Sequence, residues 1–275
     1  MSTPHAFIQK YSAIKLNGRG GAQLHSSYSH PMLHHVVQGS GEPTVWLHGL
    51  LGTGASHWQG VLEDVSGQHF LPDLLGHGHS PDYISATLNP PRQNAQALSQ
   101  WMDVQGLERV HLIGVSLGAD TALQFALESP ERVQTLTLVA ASWYMTDTTL
   151  SILREQLVTL GAQLRQPALA ELLRELHGER VPQEILERTT HAYLADPFQV
   201  SSEALERLNV PTLVVQGDGQ VGEVRQGLEL RQHIPHCHLA VLPATGHVAH
   251  MENPEGFLSA RTRFLDTQTA QNSPQ

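Results

Sequence analysis

The chain is poor in several residues whose presence would have narrowed its setting. Of 275 residues one is a cysteine, Cys237, which excludes an internal disulfide and a cysteine-based zinc site. Two are lysines, Lys10 and Lys15, and the 16 cations face 26 acids for a formal net charge of −10. A field of that sign repels phosphate backbones and anionic head groups, so neither nucleic acid nor a membrane is an expected partner. No apolar run approaches the roughly 18 residues of a spanning helix. Residues 1–12 lack the apolar stretch of a secretory leader, and the expected location is cytoplasmic. Only 15% of residues are charged, too few for a disordered chain, and there is no internal repeat. A phosphate-cradling G-x-G-x-x-G or P-loop is also missing; Gly18–Gly21 reads as a turn. No cofactor is expected.

What is abundant is histidine. Eighteen imidazoles would swing the formal charge from −10 to +8 if all were protonated. Solubility should therefore depend on pH below about 6.5. The 23 glycines and a 40% hydrophobic content fit one large domain with a sizeable core.

Short apolar runs alternate with helical patterns. Thr44–His48, Arg109–Val115, Val133–Ala140, Pro211–Gln216 and His238–Leu242 read as buried strands, continuously apolar and bounded by Gly, Pro or polar residues. Strands apolar on both faces predict a parallel sheet covered by helices. The helices are expected near Gly54–Val65, Gln93–Val104, Leu117–Glu128, Val224–Gln232 and Pro254–Leu265. Ile14–Leu16, Gln23–Ser27 and Met32–Gln38 read as an antiparallel meander ahead of them. From Trp143 to Glu206 there is helical spacing without a strand, which predicts an insertion over one edge of the sheet. The polar end, Asp266–Gln275, has no apolar face.

Three glycine-bearing segments carry the chemistry. Gly114-Val115-Ser116-Leu117-Gly118 joins a strand to a helix, the setting of a G-x-S-x-G nucleophile elbow, with Ser116 on a strained turn at a helix N-terminus. His48-Gly49-Leu50-Leu51-Gly52 follows another strand, so that Leu50 N–H and Leu117 N–H are candidate donors to an oxyanion. Thr245-Gly246-His247 follows the last strand and offers His247 as a general base, with His250 a nearby competitor. No metal site stands out: His233, His236 and His238 form the densest group, but Pro235 interrupts it. His34 and His35 point to opposite faces of a strand.

Together with Asp73–Ser80, Pro211–Gly217 and the Gly246–Pro254 segment, these motifs resemble the α/β-hydrolase superfamily from about Met32 to Leu265. The resemblance implies a doubly wound, mostly parallel eight-stranded sheet flanked by helices, with a helical cap inserted after strand six. It divides the chain into a core of 1–142 and 207–266, a cap of 143–206 and a disordered tail of 267–275. It also implies the order Ser–acid–His, a largely structural Asp73–Ser80 loop, and a pocket bordered by His57 and Trp58. At the place where the family carries its acid, this chain has Gln220. Asp218 is the first substitute to consider, Glu223 the second, and Asp147 a third; a Ser116–His247 pair without an acid is the remaining alternative.

The expected activity is hydrolysis of an ester, thioester or lactone through an acyl-enzyme on Ser116, carbon–carbon bond hydrolysis being a related possibility. The partner would be a small molecule with an apolar acyl or aryl part, met by Trp143 and Tyr144, with Met145, Tyr193 and Phe198 further candidates. A receptor-like protein that binds without turnover is the reading from another class, and Gln220 is its main support.

Overall fold

The computed structural model describes residues 32–272, apart from 64, 84, 86, 87 and 165. The expected strands at 14–16 and 23–27 and the turn at 18–21 lie outside the described residues. Seven strands form one sheet: β1 (His35–Ser40), β2 (Pro43–Leu47), β3 (Gly67–Pro72), β4 (Val110–Val115), β5 (Val133–Val139), β6 (Thr212–Gly217) and β7 (Cys237–Leu242). Their order is β1-β3-β2-β4-β5-β6-β7. Only β1 runs antiparallel to its neighbour; the other pairs are parallel. The sheet is thus mostly parallel, with seven strands among the described residues where eight were expected.

The central strands are buried at every position but Gln134 because both faces are covered. Leu112, Leu136 and Val214 pack on one side with Leu98, Trp101 and Phe125. Ile113, Val139 and Val215 pack on the other with Trp58, Phe257 and Phe264. β3 had no counterpart among the expected strands, since its first half is polar. His69 makes that half buriable: its Nδ1 accepts from Trp46 Nε1 at 3.2 Å, which leaves Nε2–H to donate to the Val65 carbonyl at 3.0 Å.

Local signals set the helix ends. The expected helix at 54–65 is shorter, α1 (Gly54–Trp58), opened by a Thr53–Ser56 capping box and followed by one 3₁₀ turn. In α2 (Pro90–Gln105) the Asn89 side chain accepts from Arg92 N–H, and Gly106 at φ 68° ends the helix. α3 (Leu117–Glu128) follows β4 directly.

Between β5 and β6 the chain makes a helical excursion: α4 (Asp147–Gln163), α5 (Pro167–His177), α6 (Pro182–Ala195) and α7 (Ser202–Glu206). It leaves and returns at one place, where Tyr144 pairs with Gln199 and Val200 N–H donates to the Trp143 carbonyl at 2.8 Å. Leu164, Leu169, Leu173, Leu176, Ile185 and Leu186 of this excursion enclose Leu51 in a small cluster of their own.

After β6 come α8 (Val221–His233), α9 (Ala249–Glu252) and α10 (Pro254–Asn272). The last helix continues through residues 267–272, which were expected to belong to a disordered tail. Phe257 and Phe264 fix its start in the core, and extending an anchored helix by a turn needs little further stabilisation.

Candidate active site

The candidate residues gather at the carboxyl ends of the parallel strands. Ser116 follows β4 with φ 55° and ψ −119°, a region that a residue bearing a Cβ enters at about 1–3 kcal/mol. The surroundings enforce it. Ser116 N–H donates to the Val139 carbonyl at 2.9 Å. A Cβ at Gly114 would overlap the Gly118 carbonyl, and one at Gly118 would overlap the Leu47 carbonyl, so only glycine lets β4, α3 and β2 close around the turn. Leu117 opens α3, where first-turn N–H groups have no intrahelical acceptor.

Three histidines hold the Gly49–Gly52 turn beside Ser116. Leu74 N–H donates to His48 Nε2 at 2.8 Å, so the His48 proton sits on Nδ1 and goes to the Gly49 carbonyl at 2.7 Å. Gly78 N–H likewise donates to His177 Nδ1 at 2.8 Å, leaving Nε2–H for the Leu51 carbonyl at 3.1 Å. His57 Nδ1 accepts from Gly49 N–H at 3.5 Å. Gly52 N–H returns to the Gly49 carbonyl at 3.1 Å. Leu50 N–H has no acceptor among the described residues, and a Cβ added at Gly49 would come within 3.3 Å of the Ser116 Cβ.

His247 lies on the loop after β7. Gly246 N–H donates to Glu252 Oε2 at 3.0 Å, Gly219 N–H to the Thr245 carbonyl at 2.9 Å, and Thr245 N–H to Asp218 Oδ1 at 3.3 Å. Asp218 therefore ties the loop backbone and is not at the imidazole. His247 Nδ1 meets Glu223 Oε1 instead, at 2.6 Å. Asp218 was the first expected substitute and Glu223 the second; the carboxylate found at the His247 ring is that of Glu223. Gln220, at the N-cap of α8, places Glu223 in the first helical turn, where the helix dipole favours a carboxylate. The Glu223 charge lifts the His247 pKa above the ordinary imidazole range, with the side chain itself 46% exposed. Asp147 is exposed at the start of α4.

His250 is fully buried between the rings of His57 and Trp58, and burial presses its pKa down to about 3, which unsuits it as a base near neutral pH.

The expected pocket-lining aromatics lie elsewhere. Trp58 is 0% exposed among Trp46, His250 and Phe257, so it is core. His57 is buried under the Gly49 turn and kept neutral by burial. Trp143 donates its Nε1–H to Glu229 at 3.2 Å and its backbone N–H to Gln226 at 3.0 Å, and its ring meets Tyr144 and His233. Both aromatics thus pack at the outer part of α8.

Asp120, one turn after Ser116, went unnoticed in the sequence. The residue is 5% exposed, its carboxyl accepts from the Tyr193 hydroxyl at 3.0 Å, and burial pushes its pKa up to about 7. A charged residue in an otherwise apolar helix face, GADTALQFAL, was the available signal.

A cleft of about 440 Å³ opens between the 76–83 loop and α5–α6, lined by His79, Tyr83, His177, Arg180 and Arg188 among others, but not by Ser116 or His247. No group of three or more His, Cys, Asp or Glu suited to a metal occurs among the described residues. None of their helices is long and apolar enough to cross a membrane.

The chain as a whole is similar to known proteins. A hydrolase of Pseudomonas putida acting on 2-hydroxy-6-oxononadienedioate and 2-hydroxy-6-oxononatrienedioate is 31% identical over 85% of this chain and 91% of its own. The pimeloyl-[acyl-carrier protein] methyl ester esterase of Nitrosomonas europaea is 28% identical over 82% and 97%. A thermophilic esterase from Thermogutta terrifontis superposes with a TM-score of 0.69 at 21% identity, over 86% of this chain and 93% of that one. The sequence pattern of the alpha/beta hydrolase fold matches residues 43–180, and the chain belongs to that family.

Proposed function

We propose that this chain is a serine hydrolase that cleaves a carboxylic ester, thioester or lactone, with Ser116 as nucleophile, His247 as general base and Glu223 as the acid that orients it. The observation that carries this reading is the 2.6 Å contact between Glu223 and His247, because it supplies the carboxylate that Gln220 lacks. With Nδ1 committed to Glu223, Nε2 is left to take the Ser116 proton as Oγ attacks the carbonyl carbon. The N–H groups of Leu50 and Leu117 receive the oxyanion, each such donor being worth about 3 kcal/mol in the transition state. The leaving group departs with the proton from His247, and water then releases the acyl group by the same path.

Residues 143–206 would form the cap and select the substrate's apolar acyl or aryl part. The Pseudomonas putida relative supports a second reading, hydrolysis of a carbon–carbon bond beside a ketone, which also begins with addition to a carbonyl. Gln220 loses its force as an argument for a non-hydrolytic receptor once Glu223 stands at His247. The test is intact mass after a fluorophosphonate probe on wild type, Ser116→Ala and His247→Ala. One adduct on wild type, absent in Ser116→Ala and slow in His247→Ala, is the expected result. A folded wild type that takes no adduct would sink the proposal.

A further inference from the structure

The direction of Leu50 N–H is set by the carbonyl of the same peptide group. In a planar trans peptide the Gly49 carbonyl and the Leu50 N–H point opposite ways, so whatever holds the one aims the other. Two donors hold that carbonyl, His48 Nδ1–H at 2.7 Å and Gly52 N–H at 3.1 Å. The second donor belongs to the next peptide plane but one, which it shares with the Leu51 carbonyl. That carbonyl accepts His177 Nε2–H at 3.1 Å. Two hydrogen-bonded peptide planes thus lead from His177, the last residue of α5, to Leu50 N–H in the turn beside Ser116.

The series is gripped where it is strained. Gly52 N–H closes a four-residue turn on the Gly49 carbonyl, which makes Leu51 its second central residue, and Leu51 has φ 62°. Glycine or asparagine is the usual occupant of such a place. The leucine is 2% exposed, its side chain seated in the leucine-rich cluster that the helical excursion builds around it. Packing alone would be served by a leucine in relaxed backbone; a strained one persists where its surroundings over-determine it. His177 is anchored in turn. It is 1% exposed, its Nδ1 accepts from Gly78 N–H at 2.8 Å, and the Gly78 carbonyl accepts from Arg180 Nη1 at 2.6 Å.

We propose that His177 and Leu51 are positioning residues, through which the helical excursion holds the Gly49–Gly52 turn in the shape that aims Leu50 N–H at the oxyanion. The proposal rests on the reading of Ser116 and Leu50 given above, and it gives the excursion a part in the chemical step besides selection of the substrate. Without the His177 bond, Leu51 is free to leave the left-handed region. The Leu51–Gly52 plane then rotates, and the Gly52 bond that steadies the Gly49 carbonyl is lost.

The test is the kinetics of His177→Phe and His177→Gln on p-nitrophenyl acetate, each measured well below its own thermal midpoint. Phenylalanine fills the space without a donor, whereas glutamine carries a donor and an acceptor on one amide, as the neutral imidazole does. Removing an oxyanion donor outright costs about 10²–10³ in kcat, and a misaimed donor costs less. The expected result for His177→Phe is a fall of about tenfold to a hundredfold in kcat and kcat/KM together, with KM within about twofold. His177→Gln should recover to within about threefold of wild type. A packing role predicts a lower thermal midpoint with kcat unchanged, and that result overturns the proposal. A rise in KM alone, or equal losses in the two variants, does so too.

Should His177→Phe not fold, Leu51→Ala and Leu51→Met make the same comparison. Alanine leaves the cluster and should lose about tenfold in kcat, while methionine refills it and should restore most of that loss. Fluorophosphonate labelling of wild type and amide exchange at Gly52 separate the two levels. No adduct, with faster Gly52 exchange in His177→Phe, would discard the hydrolase reading and keep the grip on the turn. An adduct, with wild-type kcat in His177→Phe, would do the reverse.

Discussion

At the scale of single residues, the acid is the point where sequence and structure part. Ser116 and His247 stand out as candidates because each sits in a short motif at a strand end. Glu223 was second choice because Gln220 occupies the position where the family's acid is expected, and nothing in a one-dimensional spacing tells which carboxylate folds back. In the fold Gln220 stands at the N-cap position of α8, Glu223 in the first turn reaches His247, and Asp218 is bonded to the Thr245 backbone. Glu223→Gln should therefore lower kcat by about 10³–10⁴, while Asp218→Asn should change it less than about threefold. Ester turnover of the two variants checks this, and equal losses would return the question to Asp218. The pKa of His247 is raised on folding, so the stabilisation it gives is full below about pH 6.5 and fades as pH rises through the raised value. The thermal midpoint of wild type relative to His247→Gln, followed from pH 6 to pH 9, should narrow accordingly.

At the scale of elements, the parallel strands and most of their helices could be read because continuous apolar runs have one use in a protein of this size. β3 could not, since a buried histidine with both nitrogens satisfied looks polar in a sequence and behaves as core in the fold. The aromatic Trp58 is core, because a large ring near a motif fills the core as readily as a pocket, while Trp143 packs beside α8 with part of its surface exposed.

The glycines distinguish positions that need the missing Cβ from those that do not. Gly118→Ala should destabilise the protein by more than about 2 kcal/mol, because its methyl would meet backbone carbonyls that cannot move. Gly222→Ala, in the first turn of α8 with open space around it, should instead stabilise by about 0.5 kcal/mol. Urea melts of both variants give the comparison, and destabilisation by Gly222→Ala would count against the open space described there.

At the scale of the whole molecule, the abundance of histidine acquires a structural meaning. His48, His57, His77, His177 and His250 are buried in one connected set of ring contacts around the Gly49 turn, each with its pKa lowered by burial, His177 to about 4 and His250 to about 3. In the unfolded chain these groups take up protons below about pH 6.5. Their neutral burial supports the fold fully above that pH, and the support is lost as pH falls toward the folded values. The urea midpoint should drop steeply between pH 7 and pH 5, by at least about 3 kcal/mol in unfolding free energy; a flat profile would mean that these rings are hydrated in solution. One bond in that set reaches further. Because His177 of the helical excursion holds Leu51 of the turn beside Ser116, the segment proposed to select the substrate and the turn proposed to receive the oxyanion share a fastening. Swapping residues 143–206 for the corresponding segment of a relative, as recombination or an engineer might attempt, would then remove a pin from the catalytic floor unless the incoming segment carries its own imidazole at that point.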